Sequence, residues 1–481
     1  MKNVLLLPLL LLALASWSPA PASEDRFEAD TYGAESDRAV KTLVEELEDV
    51  AKWCKRKRLY LERDRIFEKI LEFDTDHADA REALNYKQRS DGSWYRAKPY
   101  RAPRNYDESK VPEAEAKRAE AVRGYRDEIL RLLDKHEDSL SSATRNAELQ
   151  KLLVLDPKDE EVHKRLGRVS VGGGEDFVMP ESKAALEQRA RIRELVVRSL
   201  DAAPEPQKFE PDEWEDELGV KWRSCVKTSR IRILCTGDAE EATKAARVVH
   251  ACSDYFNGMF DADVRHPLGF RMYVLSRDGE QNRFLARHPS VTDADRKRYE
   301  RLSGAWVNSN LVEWADAQET RLDGMVRQTL GTFFNHYYGV TAKQGWIWEG
   351  FGMYLTYQLV GTRLTYFVRQ SEYVEGGRSL RERLQRSNAN WLGEARRLLK
   401  GEVPPQLAFL LGRDVNAMTQ EDAVVAYALA AFLIEGNPEV AAEVVSRVGG
   451  GETPGVVLEE ALGYDLPALQ KRLLAWLEEV S

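Results

Sequence analysis

Two neighbouring stretches hold residues whose types and spacing could do chemistry: Gln328-Thr329-Leu330-Gly331-Thr332, and Trp346-Ile347-Trp348-Glu349-Gly350-Phe351-Gly352-Met353-Tyr354. On a helix, positions four apart share a face, so Gln328 and Thr332 point the same way and His336 extends that face by one turn. Zinc hydrolysis uses such a face. It needs two imidazoles at i and i+4, a carboxylate as third ligand, an open position for water, and a glutamate that takes the proton of that water. Gln328 and Thr332 offer only neutral oxygens, and Thr329 takes no proton near neutral pH. Glu349 alone keeps a competent group, and one carboxylate does not hold a transition metal. A displaced site from His336 and Glu349 is the alternative to a His336 that is merely hydrogen-bonded at the end of its helix. The remaining histidines, His77, His136, His163, His250, His266 and His288, are scattered without ligand spacing.

The segment Gly324 to Leu355 resembles the paired active-site helices of the gluzincin metallopeptidases of the peptidase MA superfamily. In that family a helix with H-E-x-x-H precedes a helix whose W-x-x-E-G-x-A/G-x-Y phrase supplies the third ligand. Trp346 to Tyr354 matches the second phrase, and Gln328 to Thr332 lines up with H-E-L-G-H. The resemblance therefore implies that Glu349 stands at the third-ligand position, with Gln328, Thr329 and Thr332 replacing the first imidazole, the base and the second imidazole. It spans residues 219 to 479 and includes a closing phrase, Ala461 to Leu477, similar to that of secreted bacterial members. With those groups absent, the expectation is an exported, non-catalytic peptidase-like protein acting as a binding or scaffold module, without catalytic residues or cofactor. The alternative is an active secreted hydrolase, either a metallopeptidase with a displaced zinc site or another carboxylate-dependent enzyme. A glycosidase needs only two carboxylates, and the chain has 80 acidic residues. No G-x-S-x-G elbow and no phosphate-cradling glycine motif is present.

The elements that must position these residues follow from hydrophobic periodicity. Alternation predicts strands at 231–236 and 270–275 and a strand pair at 305–308 and 311–314. Helical spacing predicts helices at 239–260, 323–338, 346–360, 421–435 and 466–479. Strands followed by helices argue α+β: a small sheet beside a helical half. Residues 218–481 form this expected zincin-like domain.

Ahead of it, residues 36–201 read as two divergent all-α helical modules resembling tetratricopeptide-type units. Lys69 to Leu84 repeats as Lys151 to Leu166, pairing Phe73 with Leu155, Asp74 with Asp156 and Leu84 with Leu166. This offset is more than double the regular period of about 34 residues. Asp74 or Thr75 is the expected cap of the following helix, Ser90 to Trp94 and Pro99 to Pro112 are expected separators, and Gly172-Gly173-Gly174 the end of the second module. Residues 202–217, rich in proline and acid, read as the linker. A protein or peptide partner could dock on the modules or on the cleft.

Met1 to Ala22 has a basic start, an apolar run and an Ala-x-Ala stop, the form of a secretory signal peptide. Export, to the periplasm or beyond, is expected, with no membrane span after cleavage. With 70 basic against 80 acidic residues and a net charge of −10, the chain repels phosphate backbones, so nucleic acid is not an expected partner. Cys54, Cys225, Cys235 and Cys252 allow one or two local disulfides, with the pairing open.

Overall fold

The computed structural model describes residues 24–96, 103–171, 176–265, 268–299, 302–366, 374–375, 378–384 and 389–481. The expected signal peptide, the triple glycine 172–174 and His266 lie outside these residues. The chain is mixed α+β and divides after Arg168 into two compact units.

In the first unit, helices Glu24–Arg56, Tyr60–Phe73 and Val111–Lys135 bury Leu43, Leu47, Ala51, Leu59, Ile70, Ile129 and Leu132 among them. The repeat read from the sequence coincides with a repeated series of elements. Helix Tyr60–Phe73 and short helix Ala78–Ala83, followed by a hairpin of Tyr86–Gln88 with Trp94–Arg96, recur as Ser142–Leu155 and Glu160–Arg165, and a hairpin of Val169–Val171 with Asp176–Val178 opens the second unit. Both longer helices stop where an aspartate, Asp74 or Asp156, turns extended and accepts the backbone N–H two residues on. Asp74 is thereby used, so the cap of Ala78–Ala83 is His77, whose Nδ1 accepts from Ala80 N, as Asp159 accepts from Val162 N in the second copy. Ser90 to Trp94 is not a bare separator. It forms the tip and the first returning residue of the hairpin.

The second unit carries a six-stranded sheet. Its strands are β1 (Gln207–Lys208), β2 (Ser224–Lys227), β3 (Arg232–Cys235), β4 (Arg271–Val274), β5 (Gly304–Val307) and β6 (Asn310–Glu313), in the order β1-β2-β3-β4-β6-β5. β3, β4 and β6 run parallel to one another, and β5 returns antiparallel at the edge. Side chains alternate as the pleat requires. Ile233, Cys235, Met272, Val274 and Leu311 join the large helical core, whereas Leu234, Tyr273 and Val312 join a smaller cluster with Phe284 and Trp314.

Two sequence-derived boundaries shift. Helix α1 (Pro180–Ala202), expected within the helical modules, belongs to the second unit, where Arg189 Nε donates to Glu435 at 2.8 Å and Arg472 pairs with Glu181 at 2.7 Å. The expected linker 202–217 supplies edge strand β1 and a helical turn, Glu213–Asp216. Glu215 in that turn is fully buried and accepts from Arg271 and from the Tyr273 hydroxyl. Acidic composition reads as linker until a half-buried arginine from the neighbouring sheet provides the partner.

Candidate functional site

Helix α2 (Ala239–Phe260) and helix α3 (Gln318–Tyr338) pack beside the sheet. A π-helical turn, Ile347–Phe351, then leads into α4 (Gly352–Val360), and α5 (Gln420–Ala431) lies against that turn. The approach of turn and α5 is close: a methyl group on Gly350 would overlap the Ala426 carbonyl.

The face that α3 turns toward Glu349 is one residue earlier than the sequence alignment expects. Arg327, not Gln328, meets Glu349 in an ion pair of 2.8 Å, with side chains 2% and 0% exposed. Arg327 Nη2 also donates to the Trp348 carbonyl at 3.2 Å. One turn on, Gly331 gives way to the Trp348 indole, which a methyl group there would touch at 3.1 Å. Gly352 likewise leaves room for the Arg327 guanidinium. Helical geometry puts Arg327 and Gly331, four apart, on this face together.

The expected residues go elsewhere. Thr329 is buried and its hydroxyl donates to Met325 O at 2.7 Å, while the Thr332 hydroxyl donates to Gln328 O at 2.9 Å, so both are spent on their own helix. Gln328 Oε1 accepts from the Trp306 indole at 2.9 Å, tying α3 to edge strand β5. His336 is exposed, with its ring edge-on to Tyr337, whereas Glu349 is fully buried. Among the described residues no group of three or more histidines, cysteines, aspartates or glutamates could hold a metal.

Gln328 opens onto a cavity of about 490 Å³ between the β5–β6 end of the sheet, α3 and the strand of chain from Leu364 to Tyr366. At its wall is Glu313, the last residue of β6, on the same sheet face as Leu311. Its side chain is 4% exposed and accepts no hydrogen bond among the described residues. The carboxyl lies between two glycines. Gly304 is its partner across the β5–β6 ladder, and Gly324 is on α3, where a methyl group would stand 2.6 Å from Glu313 Oε1. Burial pushes the Glu313 carboxyl well above the usual range, the Asp323 carboxylate adds to this, and Arg321 opposes it only in part, being paired with Glu241 at 2.6 Å. Asp323 itself faces the other way. It accepts from Thr362 Oγ1 at 2.7 Å, from Leu364 N and Thr365 N at 3.0 Å, and from the Thr365 hydroxyl, so it holds this wall of the cavity. Arg298, Arg381, Tyr366 and Gln420 complete the lining.

A carboxyl whose folded pKa is raised stabilises the fold least where it must ionise. Below its unfolded pKa both states are protonated and the penalty is absent. As pH rises toward the folded pKa the unfolded chain ionises first and stability falls. Glu313→Gln is therefore expected to leave stability unchanged near pH 4 and to raise it relative to the parent at pH 8. Urea unfolding across this range measures the difference, and parallel stability profiles for the two proteins would refute the assignment.

No protein family, curated protein or solved structure matches the chain. The function is thus argued from the site. The four cysteines are free thiols, and burial pushes Cys235 up to about 12 and Cys54 and Cys225 up to about 11, which removes them as nucleophiles near neutral pH. No helix among the described residues is long and apolar enough to cross a membrane. Sequence reasoning missed Arg327, Glu313, Gly304 and Gly324. The available signal was a charged or helix-breaking residue at positions whose periodicity demands an apolar one.

Proposed function

We propose that this chain is a non-catalytic, peptidase-like binding protein, in which an arginine stands where the metal of a zincin would be anchored. The supporting observation is the buried Arg327–Glu349 pair. The one carboxylate able to serve as third ligand already has a cation, and that cation comes from the helix that would carry the imidazoles. In this register Arg327 replaces the first imidazole, Gln328 the general base and Gly331 the second imidazole, with Trp348 filling the space left at Gly331. A guanidinium does not polarise a water for attack as a Lewis acid does. What persists is the cavity beside Gln328, with the edge strand β5 along it. The export expected from Met1 to Ala22 would place this binding function outside the cytoplasm.

The purified protein is expected to carry no stoichiometric zinc and to cleave no peptide library. Elemental analysis finding one zinc per chain, lost in Glu349→Ala, would overturn the reading. The register has its own test. Arg327→His, Gln328→Glu and Gly331→His, combined with Trp348→Ala to vacate the space, should create a zinc site with Glu349. Gln328→His, Thr329→Glu and Thr332→His should not, because Thr329 and Thr332 face away from Glu349. Metal uptake by the second set alone would restore the alignment read from sequence.

A further inference from the structure

We infer that the cavity beside β5 is a receptor for an organic carboxylate, for which Arg298 and Arg381 supply the opposite charge and the buried Glu313 side chain, set between two glycines, forms the wall. The inference rests on the binding-protein reading and names its ligand.

Four observations converge. First, Glu313 is 4% exposed, lines the cavity and accepts no side-chain hydrogen bond among the described residues. A ligand in the cavity would give this carboxyl the hydrogen-bond partner that the described protein does not. Secondly, the protein makes room for this carboxyl at two costly positions. Gly304 sits in a strand and Gly324 within a helix, where glycine is less favourable than alanine, and a methyl group at either would overlap Glu313. Thirdly, Gln420, 1% exposed, lines the same cavity, and its amide Nε2 donates only to the Tyr366 hydroxyl, at 3.4 Å, which leaves donor capacity at the wall. Fourthly, the charges on the lining favour an anion. Arg381 has no ion-pair partner among the described residues, and Arg298 reaches Asp295 only at 3.7 Å.

The groups that face Glu313 act together with its burial to raise its carboxyl. α3 contributes Asp323, a like charge, and Arg321, which is committed to Glu241. Helix Asp293–Tyr299 contributes Arg298 and helix Leu380–Leu384 contributes Arg381, both from the cavity lining. With Glu313 neutral, the titratable lining among the described residues carries two positive charges and no negative one. A carboxyl kept neutral by its surroundings is a strong donor to an oxyanion, and charge-assisted hydrogen bonds of this kind are about twice as strong as neutral ones. The Gln328 amide nitrogen, whose oxygen is held by Trp306, and the Tyr366 hydroxyl provide further donors. A volume of about 490 Å³ suits a small organic acid or the last residues of a peptide. Both present the same carboxylate.

The test uses the mature chain, isothermal titration calorimetry and three pairs of probes: succinate and its diamide, acetyl-trialanine with free and with amidated C-terminus, and propionate and propylamine. The acids should bind and their neutral or cationic counterparts should bind about tenfold more weakly or not at all. Tighter binding of succinate identifies a free acid as the source, and tighter binding of the tripeptide acid identifies a chain end. Arg298→Ala, at an exposed position that does not endanger folding, should weaken the acids about tenfold. Glu313→Gln keeps a neutral donor. It should lose the weakening of acid binding that the parent shows as pH rises and Glu313 ionises. Equal binding of acids and amides, preference for propylamine, an unchanged pH dependence in Glu313→Gln, or no heat from any acid would each overturn the inference. Zinc uptake or peptide cleavage by the parent would instead remove the binding-protein reading, and is measured separately.

Discussion

Glu349→Gln is expected to destabilise the second unit by about 3–5 kcal/mol, because it leaves the Arg327 guanidinium as an uncompensated charge in the core. Arg327→Met should have a similar effect by stranding Glu349. The double variant Arg327→Met/Glu349→Leu should recover most of the loss, since replacing a buried ion pair by apolar groups of similar volume is often neutral. Urea unfolding of the four proteins gives the coupling energy directly. A zinc ligand would behave otherwise: its loss would matter only in the presence of metal, and chelator would mimic it. Here the expected effect is the same with and without chelator. Additive single-variant costs, or costs below about 1 kcal/mol, well under those of breaking a buried pair, would show that the pair does not anchor the fold as described.

Gly350→Ala is expected to cost about 3 kcal/mol or more, the upper end for overpacking. Its methyl group would run into the Ala426 carbonyl, which α5 holds rigidly in its own hydrogen bonding, and there is no side chain to swing aside. The same substitution at Gly324 meets only the end of the Glu313 side chain, so it should cost less and should be relieved by Glu313→Ala. Thermal or urea unfolding of Gly350→Ala, Gly324→Ala and Gly324→Ala/Glu313→Ala orders the three. A Gly350→Ala protein as stable as the parent would mean that the π-helical turn Ile347–Phe351 does not approach α5 as closely as its geometry requires.

Much of the second unit is legible in the sequence. Helix 239–260 follows from its apolar period and the Asp238 cap, whose side chain accepts from Glu241 N. The β5–β6 hairpin follows from alternation on either side of Asn308-Ser309, which adopt the positive φ that such a turn demands. The end of α3 follows from Gly339, at φ +70°. The 82-residue repeat likewise has a structural counterpart, because an apolar helix ending at an aspartate is a local signal.

The pairing of helices is not local. Whether Gln328 or Arg327 faces Glu349 depends on a rotation of about 100° about the α3 axis, one residue of helix, and on what the neighbouring turn offers. Periodicity alone does not decide this, since Thr329 and Arg327 are both buried. The composition of residues 202–217 misleads for a related reason. Glu215 is buried because Arg271 and Tyr273 meet it from a strand more than fifty residues on, and no local pattern announces that partner.

By itself the sequence determined the α+β class and the main order of strands and helices, because these depend on residue type and short-range period. Only the tertiary structure decided that Glu349 is paired with Arg327 and that Glu313 is buried between two glycines at a cavity wall, where burial raises its carboxyl. Both are matters of burial and of charges brought together from distant segments, and the free energy of a carboxyl is set by what surrounds it rather than by its place in the chain.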